Sequence, residues 1–436
     1  MSAPGSGPAT AAPGLRRPSR HLVRVVTVVA SCLAVLAAAV VVGVRALGQE
    51  PTVTLLANWT GEDATHFRDA VIAPFERKYH IRVDYQGSSA ESQVLSADVE
   101  AGTPPDVVVL TGPGELADYA ERKQLFPVED LVPQGAFGTS WATPLKGHVY
   151  WFPLKADVKS IVWYPRDTTD QELKAAGARP DQWCLGMGSG ATSGWPGTDW
   201  IEDILLQQSG WRTYQRWARG LLPWQSKEVE RAWQTWRRLV GAGTDPDLVA
   251  RALKTEYQDA SKPVTQRPPQ CTLEHQASFV RSYQPWKDVR GRYTHSAELI
   301  PGATAKDTWE VSGDLVALLH NTPQAEQLIR HLASAEAQQA WTAKEAGFSV
   351  DTRAQPASDS NGSWHSTLAD TLLDTGAVHC FDASDAMPPS VRDAFAQAAI
   401  DFLADPHQLD ELLAQLDSLS SNEELNWLPS VCDRGP

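Results

Sequence analysis

Residues 104–114 read Pro-Pro-Asp-Val-Val-Val-Leu-Thr-Gly-Pro-Gly, a short apolar run between two turn signals. The continuous run from Val107 to Leu110 predicts a strand that is buried on both faces, because a half-exposed strand would alternate apolar and polar side chains. Pro104 ends the helix predicted before this run, and the glycine-rich turn after it leads into a helix from Glu115.

The same pattern extends toward the amino terminus. Thr52–Leu56 and Ile81–Tyr85 have strand character, whereas apolar side chains recur at helical spacing in Phe67–Phe75 and Val94–Val99. The resulting β-α-β-α-β-α order predicts an α/β fold in which mostly parallel sheets are flanked by helices.

Three polar stretches follow the predicted strands: Asn58-Trp59-Thr60, Gly87-Ser88-Ser89 and Thr111-Gly112-Pro113. In an open sheet of this kind, ligands bind outside the carboxyl ends of the strands. We therefore expect a ligand site where these stretches meet.

The middle of the chain combines crossing strands, a glycine-rich loop and long helices. Tyr150–Pro165 is rich in aromatic and β-branched residues, which predicts one or two strands that cross between two lobes. Residues 183–200 combine glycine and serine with tryptophan, which favours a buried loop running into a helix at Asp199 or Trp200 over a flexible linker. Residues 200–256 are predicted to be helical.

Further core elements follow. Trp233, Trp236 and Val240 form an apolar helix stripe that we interpret as core, and Val311–Leu319 predicts a strand. Helices are predicted from Thr322 onward and within 389–417, and the last stretch with Trp427 and Cys432 is expected to be tied to the body of the protein.

The amino-terminal segment predicts export. Residues 1–24, which include four arginines, are predicted to be a disordered basic tail on the cytoplasmic side, and Val25–Val44 contains no charged residue. About twenty apolar residues span a bilayer as a helix, and the preceding positive charge predicts a cytoplasmic amino terminus. We interpret residues 25–47 as a retained transmembrane signal anchor; a cleaved signal peptide and lipoprotein processing at Cys32 are the alternatives. All three place residues 51–436 outside the cytoplasm.

The remaining cysteines fit an oxidising compartment. Cys184, Cys271, Cys380 and Cys432 are even in number and form no C-x-x-C pair, so they predict two disulfides rather than a metal site. Three pairings are possible, and local position favours Cys184–Cys271 and Cys380–Cys432.

Composition and motifs exclude several functions. The chain carries a net charge of −15, which argues against nucleic-acid binding because phosphate contacts need basic patches. The sequence has no G-x-S-x-G, H-E-x-x-H or P-loop motif, so we expect no enzyme, no cofactor and no metal. Tryptophan, with 17 residues against 9 Tyr and 10 Phe, is the unusual component. Most of it suits a core, but tryptophan also stacks on sugar rings.

Several stretches resemble a known family, the extracellular solute-binding proteins of ABC importers of the maltose-binding type. The amino-terminal β-α-β order with Trp59-Thr60-Gly61 and the run 104–110 carry the general resemblance. Residues 183–203 (WCLGMGSGATSGWPGTDWIED), 271–279 (CTLEHQASF) and 312–315 (SGDL) are similar to loops of its α-glucoside-type branch. The resemblance covers nearly all of 51–402.

The resemblance implies a two-lobe, type II periplasmic-binding-protein-like fold with a ligand cleft. One lobe would comprise 51–157 plus 312–348 and the other 160–308 plus 352–436. Strands would cross between them near Ala156–Ile161, Val311–Leu315 and Ser349.

The resemblance also implies residue roles. It implies that Cys184 and Cys271 are bridged, and it carries family ligand contacts over to a set of matching positions. These positions are Trp59, Ser88, Asp106, Trp195, Asp199 and Asp314.

In the hypothesis that follows, Trp195 stacks on a sugar ring while Asp199 and Asp314 bind hydroxyls. Structural alternatives stay open for three of the positions. Trp59 would then cap the sheet, Asp199 would be a helix N-cap, and Asp106 would only begin its strand.

The implied function is delivery of a sugar to an ABC permease by a monomeric, single-pass membrane protein with an extracellular carboxyl-terminal domain. The same fold would serve a membrane-anchored sensor that signals to a membrane partner. The sequence departs from the family pattern at Gly188, where an acid is common, at Glu274 and His275, where the family tends to be basic, and in its predicted anchor.

Overall fold

The protein is described by a computed structural model that covers residues 50–138, 141–305, 307–343, 347–354, 364–422 and 424–434. Residues from Thr52 to Pro436 form one of two compact units of the chain, and the description below concerns that unit. The predicted signal anchor at 25–47 and Cys32 lie outside the described residues. Within the described ranges, no helix combines the length and the apolar character needed to cross a bilayer.

Strands are distributed along the whole unit. They are β1 (Thr52–Ala57), β2 (Arg82–Gly87), β3 (Val107–Leu110), β4 (Trp151–Val158), β5 (Ile161–Tyr164), β6 (Glu274–His275), β7 (Arg292–His295), β8 (Thr308–Leu318), β9 (Val378–Phe381) and β10 (Cys432–Arg434).

Helices cover the sheets. They are α1 (Gly61–Phe67), which continues through a π-helical turn at Arg68–Ile72 into α2 (Ala73–Tyr79), α3 (Glu91–Glu100), α4 (Pro113–Glu121), α5 (Asp170–Gly177), α6 (Trp195–Ser209), α7 (Trp211–Ala218), α8 (Lys227–Val240), α9 (Pro246–Lys254), α10 (Gln284–Asp288), α11 (Pro323–Leu332), α12 (Ala335–Thr342), α13 (Trp364–Leu372), α14 (Ala383–Ala386), α15 (Pro389–Ala404) and α16 (Leu409–Ser420).

The larger sheet has the strand order β10-β9-β8-β3-β1-β2, and β4 pairs with β8 beside this path. The predicted strand Val107–Leu110 is confirmed, and all four of its residues are buried. Its side chains alternate between two apolar cores. Val107 and Val109 pack with α1, α2 and α11, while Val108 and Leu110 join the second core on the other face. Burial on both faces explains why the run has no polar alternation.

The prediction of mostly parallel sheets is wrong. Among the eight pairings of the strands named above, only β1–β2, β1–β3 and β8–β9 are parallel. The smaller sheet, β6-β5-β7, is antiparallel throughout. The reason is that β8 enters the large sheet antiparallel to β3 and β4, a pairing between distant segments that local periodicity does not report.

Strand β8 has two sets of neighbours. Residues 308–311 pair with β9, whereas 315–318 pair with β3. Strand β4 runs beside β8 from Val158 to Trp151, and the backbone of Ala156 exchanges hydrogen bonds of 2.7 and 3.0 Å with Phe348. The three segments expected to cross between lobes therefore lie side by side.

The glycine-rich loop leads into a helix four residues earlier than predicted. Helix α6 begins at Trp195, with Pro196 in its first turn, and not at Asp199 or Trp200. Gly194 caps the helix with φ 103°, and a Cβ at this position would lie 2.3 Å from the carbonyl oxygen of Ala396. Because this close approach and the left-handed backbone both require glycine, the loop turns here and the helix starts at once.

Both favoured disulfides are confirmed. Cys184 and Cys271 are bonded, and Cys380 is bonded to Cys432, so the carboxyl terminus is tied to the large sheet as expected. The helical stripe of Trp233 is buried and confirms the core interpretation.

Candidate functional site

Asp314 of β8 is held at the carboxyl end of β1. Its Oδ1 accepts a hydrogen bond of 2.8 Å from Asn58 Nδ2, and its Oδ2 accepts one of 3.1 Å from Trp59 Nε1. The Trp59 ring itself packs in the core against Phe67 and Trp341, at centroid distances of 4.7 and 4.8 Å. Trp59 therefore caps the sheet with its ring while its N–H orients Asp314.

Lys155 of β4 gives this carboxylate a cationic neighbour. Its Nζ lies 3.6 Å from Asp314 Oδ2 and 3.2 Å from Asp157 Oδ2. Burial alone would lower the pKa of Lys155, but the two carboxylates outweigh it and raise the pKa above its ordinary value. Lys155 is therefore a charged donor at the strand crossing.

Ser88 lies beside Trp59, in the loop after β2. Its backbone N–H donates to the carbonyl of Ala57 at 2.9 Å, and its Oγ accepts from the N–H of Ala90 at 3.1 Å. A Cβ on the adjacent Gly87 would lie 2.2 Å from the Trp59 carbonyl oxygen, so only glycine permits this close approach.

Asp106 lies at the opposite end of the sheet. It precedes β3, and its Oδ2 accepts hydrogen bonds of 2.8 and 2.9 Å from the backbone N–H and the hydroxyl of Thr54. Thr54 and Asn58 are four strand residues apart, about 13 Å. The structure therefore does not bring Asp106 to the other predicted residues, and its carboxylate anchors the start of β1 to β3.

Asp199 forms a second centre, in the first half of α6. Its Oδ1 lies 2.9 Å from Lys159 Nζ, and the same ammonium contacts Asp382. Burial raises the pKa of Asp199 to about 8, against the opposing attraction of the Lys159 ammonium. Within the described part of the chain, Asp199 Oδ2 has no hydrogen-bond partner. Gly194, and not Asp199, caps the helix.

Trp195 belongs to a half-buried aromatic surface, which consists of Trp195, Tyr257, Phe279 and Tyr283. The Trp195 ring lies 4.9 Å from Tyr257 and 6.4 Å from Phe279, between centroids. Tyr283 continues the surface at 6.0 Å from Phe279. Because these rings are partly exposed, they offer apolar faces to a ligand.

The aromatic surface joins the two polar centres. Lys155 Nζ lies 5.8 Å from the Phe279 ring centroid, and Lys159 Nζ lies 5.8 Å from that of Trp195. Carboxylates, ammonium groups and aromatic faces thus line one continuous region at the strand crossing. Such a region can accept and donate hydrogen bonds and stack on a ring.

Two acidic residues in this region were missed by sequence analysis. Asp63 of α1 is exposed to solvent, and partial desolvation by neighbouring atoms raises its pKa while Lys155 opposes the shift. Glu91 opens α3 after the Ser88 loop, and burial raises its pKa to about 7. An acid at the first turn of a helix is too common a pattern to have marked either residue.

Lys155, Tyr257, Phe279 and Tyr283 were also missing from the predicted ligand set. Lys155 could have been found from the sequence, because Lys155 and Asp157 are charged residues within an otherwise apolar strand. At Gly188, where the family commonly has an acid, a Cβ would lie 2.9 Å from Glu256 Oε1, so a carboxylate reaches this point from another segment.

Comparisons with known proteins identify the family and the fold. Residues 59–339 match the model of the bacterial extracellular solute-binding protein family. The alpha-glucosides-binding periplasmic protein AglE of Rhizobium meliloti strain 1021 is 31% identical over 82% of this chain and 85% of its own length. The osmoprotective compounds-binding protein GgtB of Synechocystis is 28% identical over 83% of this chain and 90% of its own.

A solved structure gives the fold. The maltose-maltodextrin binding protein of Alicyclobacillus acidocaldarius matches with a TM-score of 0.62 at 14% identity, over 84% of this chain and 100% of that one. The two-lobe α/β fold of periplasmic binding proteins is therefore the fold of this chain. On the family model and the relatives together, the chain belongs to the bacterial extracellular solute-binding proteins of ABC importers, of the maltose-binding type.

Proposed function

We propose that this protein binds an α-glucoside or a related small sugar between its lobes and delivers it to an ABC permease. The observation that carries the proposal is the half-buried aromatic surface flanked by the Asp199 and Asp314 centres. A sugar presents hydroxyl groups around an apolar ring face, so it requires both kinds of group at once.

Each centre has a role in this proposal. The ring of Trp195 stacks on the sugar. Asp199 Oδ2, which has no hydrogen-bond partner among the described residues, accepts a hydrogen bond from a sugar hydroxyl. Asp314 and Lys155 bind hydroxyls from the other side, with Trp59 and Ser88 positioning the loop around Asp314. Asp106 is left out because its carboxylate is bound to Thr54 at the far end of the sheet.

The proposal includes two lobes that close on the ligand. We assign 51–157 plus 312–348 to one lobe and 160–308 plus 352–436 to the other. The adjacent crossing strands β4 and β8 support this division, since a few residues there can act as a hinge. We further propose a monomer tethered by residues 25–47, on the strength of the apolar run Val25–Val44 and its preceding arginines.

Calorimetric titration tests the ligand assignment. Maltose, sucrose and trehalose serve as α-glucosides, with glucose and lactose for comparison. We expect at least one α-glucoside to bind with micromolar affinity, about −8 kcal/mol. Trp195→Ala should weaken binding at least tenfold, because it removes the apolar area that the ring buries against the sugar, about 1.5–3 kcal/mol, together with a stacking contribution of about 0.5–1.5 kcal/mol.

Trp211 provides the matched control. It is also half-buried, but it lies at the start of α7 and stacks against Arg212 outside the aromatic surface. Trp211→Ala should therefore leave sugar affinity unchanged. Absence of heat with every sugar, or equal losses in the two variants, would contradict the proposed site.

A further inference from the structure

Three buried carboxylates converge behind the Asp199 centre. Glu202 lies on α6, Glu310 on β8, and Asp382 directly after β9. One oxygen of each lies within 4.8 Å of the others, and none of the three residues is more than 1% exposed. Three distant segments of the chain thus bring carboxylate oxygens to one point in the interior.

Hydrogen bonds account for only part of this cluster. Asp382 Oδ1 accepts from Ser384 Oγ and from the N–H of Asp385, both at 2.8 Å, and its Oδ2 contacts Lys159. Glu202 Oε2 accepts from the backbone N–H groups of Ala383 and Ser384 at 2.6 and 3.2 Å.

The other oxygens have no such partner. Throughout the ranges that the structure describes, Glu202 Oε1 and both oxygens of Glu310 accept no hydrogen bond. A fully buried carboxylate without a partner is strongly destabilising unless a cation or a proton accompanies it.

The number of cationic side chains is also small. Lys159 contacts Asp199 and Asp382, and this single ammonium could not neutralise these two groups together with the neighbouring Glu202 and Glu310 if all four were ionised. Carboxylate oxygens are the preferred ligands of hard divalent cations. Calcium fits this set better than magnesium, because it tolerates irregular geometry and bidentate carboxylates such as Glu310, whose two oxygens are both available.

We propose that Glu202, Glu310 and Asp382 form a calcium-type cation site in the interior of the protein. A bound ion would link α6, β8 and the end of β9, and it would hold Asp382 and, through Lys159, Asp199 in place. Sequence analysis predicted no metal, because three single acids in separate segments form no motif.

The test uses the full chain without any sugar, so that its outcome is independent of the proposed ligand. Metal is removed with a chelator, and calcium or magnesium chloride is added back while melting temperature and binding heat are recorded. We expect one calcium ion per chain and a rise of about 3 °C or more in melting temperature at millimolar calcium.

Glu310→Gln should weaken calcium binding at least tenfold. Glu274→Gln is the matched control. Glu274 is also a buried glutamate, one of its oxygens has no hydrogen-bond partner in the described part of the chain, and it lies outside the cluster. The variant should retain the full calcium response. If wild-type protein binds neither ion and its melting temperature does not change with either salt, the carboxylates hold protons instead of a cation. If Glu310→Gln responds to calcium like wild type, the ion binds elsewhere. Either result overturns the proposal.

Discussion

Glu274 shows how burial changes the pKa of a single carboxyl group. It is 1% exposed, and its Oε2 accepts a hydrogen bond of 2.5 Å from Trp286 Nε1. Burial raises the pKa of Glu274 to about 8, and the Trp286 hydrogen bond opposes the shift. The folded state therefore holds a proton that the unfolded chain, with an ordinary pKa, releases above about pH 4.5.

Stability should consequently fall as pH rises through the interval between those two pKa values. This group makes its full contribution below about pH 4.5 and loses it by about pH 8, at a rate of up to about 1.4 kcal/mol per pH unit. In Glu274→Gln the amide cannot ionise, so between pH 6 and 8 the variant should lose about 2 kcal/mol less unfolding free energy than wild type. Urea denaturation at a series of pH values measures this difference. Parallel pH profiles would show that Glu274 is ionised in the folded protein.

Gly194 and Gly190 lie in the same loop, but they are required for different reasons: Gly190 for its backbone conformation alone, and Gly194 also for a close backbone contact. Both have positive φ, but a Cβ at 194 would lie 2.3 Å from the Ala396 carbonyl, whereas a Cβ at 190 would meet nothing within 4 Å. Gly190→Ala should cost about 1 kcal/mol for the left-handed backbone alone. Gly194→Ala should cost about 3 kcal/mol or more, because the contact forces α15 away from the start of α6. Equal losses in chemical denaturation would contradict this assignment.

Among the secondary-structure elements, the carboxyl-terminal strand β10 is held to β9 by a disulfide. Cys380 and Cys432 pair in register between β9 and the three-residue strand β10, with a sequence separation of 52. The chain-entropy model gives about 4 kcal/mol for a loop of this length. Cys380→Ser with Cys432→Ser should therefore lower the free energy of unfolding by about that amount and release β10. Exchange of the amide hydrogens of β10, compared with those of β1, measures the release. Unchanged protection would mean that packing alone holds the strand.

Local elements were largely predictable from the sequence, whereas their partners were not. Thr52–Leu56, Val107–Leu110 and the tryptophan stripe on α8 carry their burial pattern within a few residues, so periodicity predicted them. The antiparallel entry of β8 and the early start of α6 depend on contacts with segments far away in the chain. The same distinction applies to the site: Trp195 and Asp314 lie in recognisable sequence motifs, whereas the roles of Lys155 and Glu310 depend on neighbours that only folding brings to them.

For the whole molecule, the net charge limits which ligands are compatible with its surface, and the strand crossing determines how its lobes could move. The sequence beyond residue 50 is strongly acidic, because five arginines and one glutamate of the chain lie before it, which leaves 33 basic (38 − 5) and 52 acidic (53 − 1) residues. Neutral ligands are compatible with such a surface, and polyanions are not. Under the proposed division of the chain, β4 and β8 connect the two lobes, and a hinge at this crossing would let the lobes move as rigid bodies.

We expect sugar binding to close the two lobes about this crossing. A ligand that contacts Trp195 on one lobe and Asp314 on the other binds the closed form more tightly, so it shifts the population toward closure. Small-angle scattering of the protein with a saturating sugar should show a smaller radius of gyration than without it. Trp211→Ala should show the same decrease. Trp195→Ala should show a much smaller decrease than wild type when both are measured at a sugar concentration close to the wild-type Kd, because its weaker binding leaves most of the protein in the open form. A sugar that binds by calorimetry without changing the scattering curve would mean that this protein holds its ligand in one fixed arrangement of the lobes.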